Sequence, residues 1–329
     1  MDNEKQSLRA GAAVILCALV LRLGLGGYFR PAAELFAQPN MASLLIYLET
    51  GRIVRFSDSP GDATDFETPP PEEIRETQPA LPCFAPEDSA QVEIRGVDAA
   101  VDVEALLERP LQWDLTGDGP TVLILHSHAT ESYTPSPGEV YTESSPYRTL
   151  DPDYNMVSIG DRVARILEEG GVEVIHDRSL HDYPSYNTSY NHSRESMQSL
   201  LEQYPSIRLV LDLHRDASGD NSSQMTTHAT VDGADASQLM VVVAAGTEIR
   251  PVPRWQENLA LGLKLQVQLE RIAPGITRYV NLRGSRFNQD LSPGALLVEV
   301  GAAGDTHGQA LKAAEVLAEA ILALKHGAN

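Results

Sequence analysis

Cysteine is nearly missing. Cys17 and Cys83 are the only two in 329 residues, the first in an apolar run and the second among prolines and acids. So placed, they build neither a disulfide framework nor a cysteine-rich zinc site, and any metal must be held by histidine and carboxylate. Basic side chains are scarce too: 25 Lys and Arg against 46 Asp and Glu leave a net charge of −21. A chain this acidic lacks the cationic footprint that phosphate binding needs, which sets nucleic acid aside as a partner. The G-x-S-x-G elbow, the His-Glu-x-x-His helix, the Walker loop and the G-x-G-x-x-G turn are all absent, and several enzyme classes go with them. No internal repeat is visible. Against these absences stands a hydrophobic content of 42%, ordinary for a chain that can fill a core.

Long hydrophobic runs are also few. The clearest, Ala10–Leu21, follows Lys5 and Arg9, is broken by Arg22, and continues with glycines through Leu23–Phe29. Residues 1–30 therefore read as an uncleaved signal anchor, with a cleaved signal peptide as the alternative. Either places the bulk of the chain outside the cytoplasm, and the uncleaved form would hold it at the cell membrane as a single-pass protein. Residues 31–91 combine a short amphipathic piece with an acidic, proline-rich stretch, Phe56–Gln91, whose composition predicts an extended tether. The folded domain is expected over 92–329, opening with a lead-in strand and a short helix, Val101–Leu107.

From Thr121 onward apolar β-runs alternate with helical patterns. Strands are predicted at Val122–Leu125, Val172–Ile175, Leu209–Leu213, Leu239–Ala244 and Ala295–Val300, with Met225–Val231 as an additional, antiparallel candidate. Helices are predicted at Met156–Glu169, Arg194–Tyr204, Trp255–Ile272 and Gln309–Lys325. Alternation of this kind implies an α/β fold, a three-layer α/β/α sandwich around a mainly parallel sheet. The Ser/Thr/Tyr-rich loop Ser132–Tyr154 is long enough to shape a binding groove.

Chemistry gathers where the first strand ends, in His126-Ser127-His128-Ala129-Thr130-Glu131. Open α/β sheets deliver ligands to the carboxyl edge of their strands. His128 and Glu131 offer a nitrogen and an oxygen from one loop, a mix that Zn²⁺ accepts when a third protein ligand completes it. His214, closing Leu209–Leu213, is the candidate third ligand if the two strands are neighbours. In an extended chain His126 shares a side with His128, so either can be the ligand; the spacing to Glu131 favours His128. Glu299 stands inside an otherwise apolar strand, where a lone carboxylate is costly unless it pairs or serves chemistry, and is the candidate acid/base. Arg215 is the candidate anion-steadying group. A second His-x-x-Glu, His192 to Glu195, reads as the polar start of a helix, and His176, His181, His228, His307 and His326 as surface or loop residues.

The segments Ile124–Tyr133, Asp212–Ala217 and Asn288–Gly301 together resemble the stage II sporulation protein P family, over about Thr121 to Leu324. The resemblance implies the fold of zinc-dependent N-acetylmuramoyl-L-alanine amidases and cleavage of peptidoglycan at the muramoyl–alanine amide and at stem-peptide cross-links. It also implies a membrane-anchored protein that thins the septal wall in sporulation, with stage II sporulation protein D as partner. Carried over residue by residue, it puts His126 or His128, Glu131 and His214 at the metal and makes Glu299 catalytic. The sequence departs from the family pattern at Gly301–Thr306, where an Asn is usual shortly after the glycine. Two other functions fit the same residues: a zinc carboxypeptidase acting on free peptides, and a non-catalytic wall-binding scaffold.

Overall fold

A computed structural model describes residues 81–220 and 223–329. They belong to the second of the two units into which the chain divides, Thr77–Asn329. The elements run β1 (Ile94–Gly96), α1 (Val103–Glu108), β2 (Val122–Leu125), α2 (Met156–Glu169), β3 (Val174–His176), α3 (Ser189–Gln203) and β4 (Leu209–Asp216). Two small hairpins follow, β5 (Gly219–Asp220) with β6 (Ser223–Gln224) and β7 (Ala229–Val231) with β8 (Ala234–Ala236). The chain ends with β9 (Leu239–Ala244), α4 (Trp255–Ile272), β10 (Val280–Arg283), β11 (Ala295–Ala302) and α5 (His307–Ala323).

Seven strands form one sheet in the order β1-β10-β9-β11-β4-β2-β3. It is mostly parallel, but in two blocks. β3, β2, β4 and β11 run one way, β9, β10 and β1 the other, and the blocks meet antiparallel where β11 pairs β9. Because successive side chains in a strand alternate sides, each apolar run feeds two cores. Val122, Ile124, Leu209, Leu211, Leu213, Leu296, Val298 and Val300 join the large core under α2, α4 and α5. Leu123, Leu125, Val210 and Ala295 turn to the other face and meet Met197, Leu200 and Leu201 of α3. Fully burying each Val, Leu, Ile or Met side chain among these is worth about 1.5–3 kcal/mol. The result is an α/β sandwich whose second helical layer is, among the described residues, α3 alone.

Several predicted boundaries shift. α2, α4, β2 and β9 have the predicted limits, whereas α3 starts at Ser189, five positions before the expected Arg194. β10 was not anticipated, since Val280-Asn281-Leu282-Arg283 offers only two apolar positions, and it is held by pairing with β9 and β1. Within Met225–Val231 only Ala229–Val231 is a strand, and it is antiparallel as expected, closing on β8 through an Asp232-Gly233 turn with φ of 52° and 79°. The expected tether proves folded where it is described. Phe84 is buried in the large core, Asp88 pairs with Arg271 at 2.8 Å, and Pro86–Gln91 forms a 3-10 turn. The rest of 31–91, and the apolar stretch within 1–30, lie outside the described residues. Among those described, no helix is long and apolar enough to cross a membrane.

The topology explains where the site sits. From β2 the chain crosses to β3 over the α2 face, and from β3 it returns to β4 over the α3 face. β2 and β4 are therefore neighbours whose connections diverge, which opens a crevice at their carboxyl ends.

Candidate metal centre

β2 ends at Leu125, and a turn over 127–130 carries the chain back on itself, closed by Glu131 N–H donating to His128 O at 3.2 Å. Pleating had put His126 on the α2 side; the turn swings His128 to the α3 side, where β4 presents His214. The pair is thus split, not shared. His126 is fully buried, with Nδ1 3.0 Å from Leu213 O and Nε2 2.8 Å from His176 Nε2. It stands apart from the His128–Glu131–His214 cluster.

The cluster is His128, Glu131 and His214, all buried, with one ligand atom of each within 4.8 Å of the others. Glu131 is its centre: Oε1 lies 3.6 Å from His128 Nδ1 and Oε2 lies 3.6 Å from His214 Nδ1. Zinc–ligand bonds of about 2.0–2.1 Å put tetrahedral neighbours roughly 3.4 Å apart, and the 3.6 Å separations, each to a different oxygen of one carboxylate, are of the size that an ion held by both imidazoles and Glu131 needs. His214 Nε2 lies 2.9 Å from Asp212 Oδ1. A carboxylate behind a ligating imidazole is the usual orienting arrangement. Asp212 is itself pinned by Ser127, whose N–H and Oγ–H donate to it at 2.8 and 2.6 Å. That carboxylate therefore fastens the exit of β2 to β4.

Charge around the cluster is strongly perturbed. Burial lowers the affinity of His214 for a proton, but Asp212, Glu131 and Glu299 outweigh it and raise the pKa to about 9. Burial would raise Glu131, yet Arg215, His128 and His214 hold it well below the carboxylate range. Glu299 is paired with His214 in the β11–β4 register and so shares its face. Its Oε2 is buried without a hydrogen-bond partner. Burial pushes its pKa up, His214 pulls it back, Glu131 and Asp216 raise it further, and it settles at about 8. An acid poised near neutrality beside the His214 imidazole is fitted to move protons.

Arg215 does something other than expected. Its Nε donates to Ser132 O at 3.0 Å and its Nη2 to Tyr147 O at 2.9 Å, while Nη1 stands 3.7 Å from Glu131 Oε1. Buried and engaged in this way, the guanidinium fastens the 132–154 loop and holds Glu131; it is not placed to meet a substrate anion. Arg148 reinforces the same corner, contacting Asp182 at 2.7 Å and Glu131 at 3.3 Å.

The sequence model of the Stage II sporulation protein P family matches residues 62–322 of this chain. The chain belongs to that family. A member from Bacillus subtilis (strain 168), Stage II sporulation protein P, is 26% identical over 275 residues, 79% of this chain. This chain spans only 63% of that relative's length. Among solved structures, the N-acetylmuramoyl-L-alanine amidase AmiC2 of Nostoc punctiforme is similar at 19% identity and a TM-score of 0.35, over 63% of this chain and 95% of that one. The CwlD amidase from Clostridioides difficile, solved in complex with the GerS lipoprotein, is similar at 14% identity and 0.39, over 61% and 96%. Structural likeness at this level is too weak to carry an assignment of activity. At the point where the chain departs from the family pattern, Asp305 accepts from Thr227 N and Oγ1, both at 2.6 Å, and from Ala302 N at 2.9 Å. It clamps the end of β11.

Some residues around the centre escaped the sequence reading. Asp212 sits two before His214 on the same face, and a lone acid in an apolar strand was the available signal, the one already used for Glu299. Tyr186 stacks on His128 with ring centroids 4.5 Å apart, and Tyr190 meets it edge-on at 5.3 Å. Both come from the turn and first turn of α3, in a stretch read as polar loop. Of the histidines expected at the surface or in loops, His181 lies in a turn but is buried, His307 is buried at the start of α5 and His176 is half-buried, paired with Asp177, Glu139 and Asp161 respectively at 3.0 Å.

Proposed function

We propose that this chain is a zinc-dependent peptidoglycan hydrolase that cleaves the amide between N-acetylmuramic acid and L-alanine during sporulation. The observation that carries the reading is the buried His128–Glu131–His214 cluster, with Glu299 on the same face, in a chain of this family. Bound there, zinc would supply a water of lowered pKa and polarise the scissile carbonyl. His128, Glu131 and His214 would hold the ion, and Asp212 would keep the His214 ring turned toward it. Glu299 takes a proton from the attacking water and returns it to the leaving nitrogen. The 132–154 loop and the Tyr183–Tyr186 turn bound a cleft of about 460 Å³, lined by Thr130, Arg148 and Tyr186, on the side of Arg148 that faces Glu131's loop. Cleavage of stem-peptide cross-links, anchoring through the stretch within 1–30, an extracytoplasmic location and cooperation with stage II sporulation protein D belong to the same proposal.

Digestion of purified sacculi with mass analysis of the products tests it. Free stem peptides beginning with L-alanine and bare glycan are expected, lost on chelation and restored by zinc. E299Q should lower turnover by about 10²–10⁴-fold and still bind zinc at one equivalent. Muropeptides that only lose C-terminal residues would instead mean a carboxypeptidase, and no products with metal bound would mean a scaffold.

A further inference from the structure

Amide hydrolysis builds negative charge on the carbonyl oxygen, and a fixed hydrogen-bond donor aimed at that oxygen speeds the reaction. The guanidiniums near the centre face Glu131 and the loop backbone. Arg215 donates from Nε to Ser132 O and from Nη2 to Tyr147 O, with Nη1 turned toward Glu131, and Arg148 donates to Thr130, Asp182 and Glu131. What remains beside both imidazoles is a phenol. The Tyr190 ring lies parallel to His214, 12° between planes and 6.3 Å between centroids, and edge-on to His128. Its hydroxyl makes no hydrogen bond among the described residues. The carboxylates of Asp212, Glu299 and Glu131 all lie within electrostatic reach of the phenol.

The position is also built, not incidental. Asn288 Nδ2 donates to Tyr190 O at 3.0 Å and to Ser193 Oγ at 3.1 Å. Ser193 is in turn hydrogen-bonded to Ser127, the residue that pins Asp212. Phe287 packs on the outer side of the Tyr190 ring at 5.7 Å. Phe287 and Asn288 both adopt left-handed backbone, with φ of 47° and 55°, although neither is glycine. Such strain costs about 1–3 kcal/mol per residue and concentrates where a side chain must be aimed. Tyr186, the other phenol on His128, is 53% exposed and lacks this enclosure.

We propose that Tyr190 is a catalytic residue whose hydroxyl donates a hydrogen bond to the oxyanion formed during amide cleavage. The water oxygen bonds the amide carbon, the carbonyl π pair moves onto its oxygen, and Glu299 receives the water's proton. Tyr190 lends its hydrogen bond and keeps its proton throughout. When the carbon–nitrogen bond breaks, its electron pair leaves on nitrogen, which takes the proton from Glu299, and the carbonyl re-forms as a carboxylic acid.

This rests on the hydrolase reading, and the test separates the two. Full-length wild type and Y190F, both loaded with zinc, are compared on a soluble muramoyl-peptide, with zinc content and melting temperature measured alongside. Y190F keeps the ring and its stacking, so only the hydroxyl is lost. Expected is a fall in kcat of about 10²-fold with KM within twofold and unchanged zinc content. A phosphonamidate analogue of the scissile amide should bind Y190F more weakly by a similar factor, while uncleaved substrate binds E299Q and the E299Q/Y190F double variant equally. A Y190F kcat within threefold of wild type, or a loss explained by lost zinc or by KM alone, would overturn the role of Tyr190 and leave the hydrolase standing. An inert zinc-loaded wild type would sink both.

Discussion

At the level of single residues the centre depends on groups that never touch an ion. Glu131 is ionised in a buried place because Arg215 and two imidazoles face it, and Arg215 is also the strap that closes the 132–154 loop. Replacing it with methionine fills the space but removes the buried cation facing Glu131 and the side-chain donors to Ser132 O and Tyr147 O. R215M should cost about 3–5 kcal/mol of unfolding free energy, as losing one partner of a buried pair does. The checks are the urea midpoint and limited proteolysis, which should cut between residues 134 and 147. An unchanged midpoint would show that the strap contributes little. The sequence made Glu131, His128, His214 and Glu299 legible because each is a polar residue at or near the end of an apolar run. It favoured His128 over His126 by spacing to Glu131 alone, because the turn over 127–130 that parts the two is announced by nothing in the local residue types.

At the level of elements the site is set by how closely β4, β2 and β11 approach at both ends. Gly294 opens β11 against the start of β4, where a Cβ would stand 1.9 Å from Arg208 O, a backbone atom with no room to yield. G294A should therefore pry β11 from β4 and lower stability by about 3 kcal/mol, seen as an earlier denaturation midpoint. Because Glu299 and His214 are register partners across that pair, zinc affinity should fall with it. Native-like zinc binding in a destabilised G294A protein would show that the pairing near Glu299 survives without the tight start. Helix α2 was readable to the residue because Asn155 caps its start and Gly170 follows its end. The first turn of α3 was not, since Ser189, Tyr190 and Asn191 carry no helical periodicity and are ordered by packing over the histidines.

At the level of the whole molecule, the buried histidines tie stability to acidity. Burial, with His176 adjacent, pushes the His126 pKa down to about 3 from 6.5. Above pH 6.5 His126 is neutral in folded and unfolded chains alike, and its contribution is complete. As pH falls from 6.5 toward 3 the unfolded chain binds a proton that the folded one refuses, so stability drops. The slope is about 1.4 kcal/mol per pH unit for this group. In H126N, whose amide can still donate to Leu213 O but cannot titrate, that part of the slope should vanish between pH 6 and 4. Parallel stability–pH curves for wild type and H126N would refute the assignment.

Residue order alone determined the α/β class, most strands and helices, the acidic character and the residue types able to bind a metal. These follow from local periodicity and from the cost of burying a carboxylate, both readable along the chain. The tertiary structure decided which histidine joins Glu131, that Arg215 braces a loop, that Tyr190 reaches the centre, and that the sheet divides into two opposed blocks. Each of these depends on contacts between residues far apart in sequence, and the free energy of such contacts belongs to the folded arrangement, not to any one segment.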